Sequence, residues 1–205
     1  MKLIVSVLLG FVFCSVARAD WKVGLQVGYS PNYLVTLDGT GVNNGTPYSA
    51  KYNMEYDGSA EFGINLWNAS PHSWGFISGF HYGAERKLNK ISVNGISIPV
   101  SSSDTSKYQT HFLYAGTLYR WESFYIPLAI TYGMTKFTSA SSLQSLEVKN
   151  GVGALLGLGW FFTDNFAIEY IGRSTTTELN MSTSTGNEKT KGVISSALLN
   201  LKFFF

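Results

Sequence analysis

The stretch Trp21-Lys-Val-Gly-Leu-Gln-Val-Gly-Tyr-Ser30 puts a large apolar side chain at every odd position and a small or polar one at every even position. An extended backbone sends successive side chains to opposite sides, so this alternation describes a strand with two unlike faces. The same pattern returns about eight times along the chain. The second run, Tyr48–Trp67, sets Ala50, Tyr52, Met54, Tyr56, Ala60, Phe62, Ile64 and Leu66 against Lys51, Asn53, Glu55, Glu61, Gly63 and Asn65. Its phase carries through Asp57-Gly58, which predicts one long strand there, with a bulge at that pair as a variant, rather than a hairpin. Further runs follow over Trp74–Glu85, Tyr108–Trp121, Phe124–Thr135, Val148–Trp160, from Phe166 onward, and over Val193–Phe205. In the fourth run the apolar face is Phe112, Tyr114 and Leu118; in the seventh, Ile168 and Tyr170 oppose Glu169 and Arg173.

The character of the second face selects the solvent. A water-soluble barrel or sandwich turns its apolar faces inward and coats the outside with Lys, Glu and Asp. Here the second face is mostly Gly, Ala, Ser and Thr, and only 14% of the chain is charged. That face suits a crowded interior, and the bulky face suits lipid. Lipid requires every backbone group to be paired internally, which for strands means a closed barrel. The expected fold is all-β, a transmembrane eight-stranded antiparallel up-and-down β-barrel. Its connections alternate in length, as such barrels require. Asn68–Ser73, Glu122-Ser123 and Thr163-Asp-Asn165 are short, while Pro31–Pro47, Arg86–Lys107, Lys136–Glu147 and Thr175–Lys191 read as long joins. Within the second long join, Asn94-Gly95 carries a hairpin signal. Trp21, Trp67, Trp74, Trp121 and Trp160 fall beside the short joins, and Tyr29, Tyr52, Tyr56, Tyr82, Tyr108 and Tyr132 near the long ones. Two aromatic girdles are what the two interfaces of a bilayer select.

Residues 1–19 read as a cleaved signal peptide, leaving a barrel over residues 20–205. Lys2, an apolar run from Leu3 to Val16 and the small residues Ala17 and Ala19 around Arg18 supply its three parts. Cys14, the single cysteine, leaves with it, since Val12-Phe13 is too bulky for lipoprotein processing. Loss of Lys2 and Arg18 from 15 basic residues leaves 13 against 13 acidic ones, so the mature chain has no electrostatic footprint for nucleic acid.

Two segments carry a family resemblance. Gly157-Leu-Gly-Trp-Phe-Phe-Thr-Asp-Asn-Phe-Ala-Ile-Glu-Tyr170 is similar to a periplasmic hairpin, and Leu199-Asn-Leu-Lys-Phe-Phe-Phe205 to the C-terminal strand, of the small eight-stranded outer-membrane barrels of Gram-negative bacteria. This is the OmpA/OmpX/OmpW-like group. The resemblance implies placement in the outer membrane among lipid and lipopolysaccharide. It also implies that Leu201, Phe203 and Phe205 form the signal read by the outer-membrane assembly machinery. Scaffold resemblance leaves activity open.

Eight strands enclose an interior that side chains can fill, and an inward charge is costly unless paired. Lys22, Glu169 and Lys202 are therefore expected to form one ion cluster, with Glu61, His81, Glu85 and Arg173 forming another higher up. The resulting expectation is a monomer with a structural or surface-interaction role, its long loops open to an extracellular ligand. A narrow passive channel for small solutes is the alternative. Lipid A acyl chemistry needs a Ser–His–acid arrangement, which His72, His81 and His111 do not suggest in sequence, so no catalytic residue is assigned. No cofactor is expected, nor a metal, since His, Cys and carboxylates do not cluster at ligand spacing.

Overall fold

A computed structural model describes residues 21–100, 107–138, 145–183 and 186–205. The proposed signal peptide, with Cys14, Ala17 and Ala19, lies outside the described residues. The strands are β1 (Lys22–Ser30), β2 (Tyr33–Asn43), β3 (Thr46–Tyr56), β4 (Ser59–Asn68), β5 (Ser73–Gly83), β6 (Arg86–Val93) and β7 (Ile96–Ile98). They continue with β8 (Lys107–Trp121), β9 (Phe124–Thr138), β10 (Ser145–Asn150), β11 (Val152–Thr163), β12 (Phe166–Thr183) and β13 (Gly186–Phe204).

Eight of them close on themselves. β1 pairs with β4, then β5, β8, β9, β11, β12 and β13 follow in turn, and β13 returns to β1, every pairing antiparallel. No edge is left in this circuit, so the exposed-edge hazard of an open sheet disappears. β2, β3, β6 and β10 prolong β1, β4, β5 and β11 beyond it, at the end away from the short turns.

The outer surface is apolar in a belt. Leu25, Val27, Phe62, Ile64, Ile126, Leu128, Ile130, Leu156, Leu158, Leu199 and Leu201 all point outward and are exposed. A continuous apolar surface of this extent calls for lipid rather than water. Trp21, Trp74, Trp121 and Trp160 stand on it near the short turns, and Tyr29, Tyr82 and Tyr132 near the other end. Trp67 departs from the expected girdle and turns inward at 2% exposure; Tyr56 and Tyr108 are likewise buried inside.

The polar long joins turn out to be largely strand. Pro31–Pro47 contains β2, whose tight turn to β3 places Asn44 at φ 47 and Gly45 at φ 79. Asn94 (φ 51) and Gly95 (φ 84) make the corresponding turn between β6 and β7. Most of Thr175–Lys191 is the upper part of β12 and β13.

The prolonged strands also switch faces. In β1 the even positions point inward, whereas in β2 the odd ones do: Tyr33, Val35 and Leu37 are buried. The pairing with β13 shows why. Tyr33 lies four positions beyond Tyr29, but their partners Leu199 and Ser196 are only three positions apart, so Ser30–Asn32 holds a bulge. The same reversal occurs at Asp57-Gly58, between β3 and β4, and at Ala84-Glu85, between β5 and β6. Tyr52, Met54 and Tyr56 thus face the interior, and the expected continuous phase over Tyr48–Trp67 is broken. β8 is reversed along its length relative to expectation. Phe112, Tyr114 and Leu118 fill the lumen, while Leu113 faces lipid.

Candidate functional site: the lumen

The interior is built in levels. At the short-turn end Trp67 stacks on Phe204 at 4.7 Å and on Phe161 at 4.9 Å, with Tyr125 edge-on at 5.4 Å. Ala167 and Leu118 pack into the same cluster, and Arg120 lies 4.7 Å over the Phe161 ring. These side chains come from β4, β8, β9, β11, β12 and β13, so the floor exists only when distant parts of the chain have met.

Above the floor, Lys202 Nζ donates to Glu169 Oε2 at 2.7 Å, with both side chains all but inaccessible. Asn200 Nδ2 donates to the other carboxylate oxygen at 3.3 Å, and Asn65 donates to Gln26 beside them at 3.3 Å. Lys22 does not join this pair. It sits at the first residue of β1, where its ammonium donates to the Asp164 carbonyl at 2.9 Å in an exposed turn. It lies too near the rim to be enclosed.

The third level gathers Glu61, His81 and Arg173 from β4, β5 and β12. Arg173 donates to Glu61 Oε1 and Oε2 at 2.6 Å each, to Ser196 Oγ at 3.0 Å and to the Tyr33 hydroxyl. Its remaining terminal nitrogen meets His81 Nδ1 at 2.6 Å. A guanidinium can only donate, so Nδ1 must accept and His81 is a neutral imidazole with its proton on Nε2. Tyr33 also donates to Glu61, at 2.7 Å.

Glu85 is not in this cluster. The reversal at Ala84-Glu85 turns it outward, where it pairs with Lys107 at 2.6 Å across an exposed surface. The same reversal brings in Arg86, which reaches Glu61 at 2.9 Å. Arg86 also donates to the Ser30 carbonyl at 3.3 Å and the Asp57 carbonyl at 2.9 Å. Those carbonyls belong to two of the bulges, where ladder pairing is interrupted and acceptors need another donor. Arg86 therefore joins the charge cluster to the backbone irregularities that create it. Arg86 and Tyr33 were hidden within segments read as loops; the signal available was the inward phase that a bulge restores.

The fourth level is apolar: Val35, Leu37, Tyr56, Tyr108, Phe112, Leu179 and Ile194, with Tyr52, Met54, Leu88, Phe137 and Val148 packed around them. Of the other two histidines, His111 lies on the outside, stacked on Tyr82 at 4.6 Å. His72 occupies an exposed turn, 3.8 Å from Glu122. The terminal Leu201, Phe203 and Phe205 face outward, and the Phe205 amide donates to the Val23 carbonyl at 2.9 Å.

No family profile and no curated protein sequence matches the chain. Solved structures do match. The crystal structure of the outer membrane protein OprG from Pseudomonas aeruginosa aligns at TM-score 0.58 and 12% identity, covering 90% of this chain and 97% of that one. The solid-state NMR structure of the outer membrane protein AlkL in DMPC lipid bilayers aligns at TM-score 0.54 and 15% identity, covering 92% and 90%. The chain thus has the fold of the small outer-membrane β-barrel proteins.

Proposed function

We propose that the protein is a monomeric outer-membrane barrel that does not conduct, and that it acts as an anchor presenting its long hairpins to a ligand outside the cell. The observation carrying this reading is the filled lumen. Trp67, Phe204, Lys202, Arg173, Tyr33 and Phe112, drawn from successive levels, are each between 0% and 3% exposed. Conduction would require breaking the Glu61–Arg173–Arg86 cluster and unstacking the floor, and separating a buried ion pair costs about 3–5 kcal/mol. The hairpins β2–β3 and β6–β7 and the upper part of β12–β13 stand beyond the apolar belt, where binding residues are commonly carried on a rigid scaffold. The reading includes no catalytic step, and replacing all three histidines is expected to leave lipid A unmodified and unchanged.

A narrow passive channel for small solutes is the second reading, favoured by the polar side chains Gln26, Asn65 and Asn200 beside the Lys202–Glu169 pair, which would line a gated polar path if the ion pairs parted. Purified, refolded protein in planar bilayers separates the two. The anchor gives no resolved single-channel steps, whereas a stable conductance in the unaltered protein would overturn it.

A further inference from the structure

On the outer surface just above the apolar belt, one row of side chains alternates in charge across five strands. Glu178 of β12 stands opposite Lys149 of β10 and Lys191 of β13. Lys191 in turn stands opposite Asp38 of β2, and Asp38 opposite Lys51 of β3. Lys189 enters the row diagonally. The Glu178 carboxylate lies 3.1 Å from Lys189, 3.4 Å from Lys149 and 3.6 Å from Lys191. A hydrogen bond from Lys189, aided by Lys149 and opposed by partial desolvation, holds the Glu178 carboxyl below its ordinary range, so it stays ionised beside them.

Across this row the two carboxylates of Glu178 and Asp38 stand against the four ammonium groups of Lys149, Lys189, Lys191 and Lys51, which leaves it net positive. Each ammonium has three N–H donors, and Glu178 occupies only part of that capacity. All three lysine side chains remain more than half exposed. Lys149 and Lys191 border an open groove of about 470 Å³, shared with Thr176, Glu178 and Val193, and Lys189 reaches its edge only through Glu178. Immediately below, Val152 and Val193 point outward into the belt, and Tyr132 stands beside Val152 in register. The place is therefore apolar beneath and cationic above, at the height where lipid chains give way to headgroups.

We propose that Lys149, Lys189 and Lys191, held together by Glu178, are a docking site for the phosphate of an outer-leaflet lipid headgroup whose chains lie against Val152 and Val193. Charge complementarity selects the phosphate, and the adjoining apolar surface selects a lipid carrier over a free anion. The inference rests on the outer-membrane placement above, but its readout is lipid retention, which is independent of conductance.

The test is native mass spectrometry of the refolded protein in detergent with added diphosphoryl lipid A. The unaltered barrel should retain one lipid molecule in preference to phosphatidylcholine. Each of Lys149→Gln, Lys189→Gln and Lys191→Gln should weaken retention about fivefold, the effect expected of one cation near an anionic lipid surface. The triple variant should abolish it. Folding is checked by the heat-dependent shift in gel mobility, and the single variants carry the test if the triple one does not fold. A control replacing Lys87 and Lys90, which lie outside this row on β6, by Gln should retain the lipid. Equal retention by the triple variant and the unaltered protein would overturn the proposal, as would equal loss in the control. Complete competition by millimolar inorganic phosphate would reassign the groove to a free anion.

Discussion

Glu61 is shared by two guanidinium groups and a phenol inside a space water barely reaches. Replacing it with Gln keeps the volume but leaves Arg86 and Arg173 facing each other uncompensated. The expected loss is about 3 kcal/mol of stability, since leaving one member of a buried ion pair unmatched is costly. Urea unfolding in lipid vesicles measures it, and a Glu61→Gln barrel as stable as the original would show that the cluster is not charge-balanced as described. Glu61, His81 and Arg173 were legible in the sequence because each falls on the small-residue face of a clear alternating run. Arg86 was not, and Glu85 was assigned its place. A bulge inserts one residue, which exchanges the two faces, and Ala84-Glu85 carries no glycine or proline to announce it.

At the level of elements, the belt portions of the strands were readable, as were most of β3 and part of β10, whereas β2 and the upper parts of β12 and β13 read as loops. Alternation is visible only where the two faces differ. Above the belt, in Thr175-Thr-Thr177 and Thr36–Gly41, neither face carries a run of large apolar residues, so they look like loops although they continue the ladder. Asn44-Gly45 and Asn94-Gly95 are the marks that do survive there, because a two-residue turn needs left-handed backbone at both positions. A side chain added at Gly95 would meet nothing within 4 Å, so its penalty is purely conformational. Gly95→Val should therefore cost the β6–β7 hairpin about 1–2 kcal/mol. Hydrogen exchange is expected to quicken in β6 and β7 while β1 and β4 keep their protection.

The molecule as a whole is defined by which side lipid touches. Leu128 lies between Ile126 and Ile130 on the outside and is 50% exposed. Leu128→Arg should destabilise the folded barrel by about 2–4 kcal/mol in a bilayer, whereas Lys136→Arg, above the belt on the same strand, should be neutral. Equilibrium refolding into vesicles reads both. The aromatic interior of β8 was the larger surprise at this scale. Phe112, Tyr114 and Leu118 read as lipid-facing because bulk usually marks that side, but here bulk also serves to fill the centre.

The aromatic floor has a practical consequence for watching this protein assemble. Four of the five tryptophans look outward and respond to the arrival of lipid, while Trp67 is pressed between Phe161 of β11 and Phe204 of β13. A variant keeping Trp67 alone, with Phe at the other four positions, would carry an intrinsic fluorescent clock for the moment the two ends of the chain join. Its emission should change after that of a variant keeping Trp74 alone, so that insertion and joining are timed separately in a single refolding reaction.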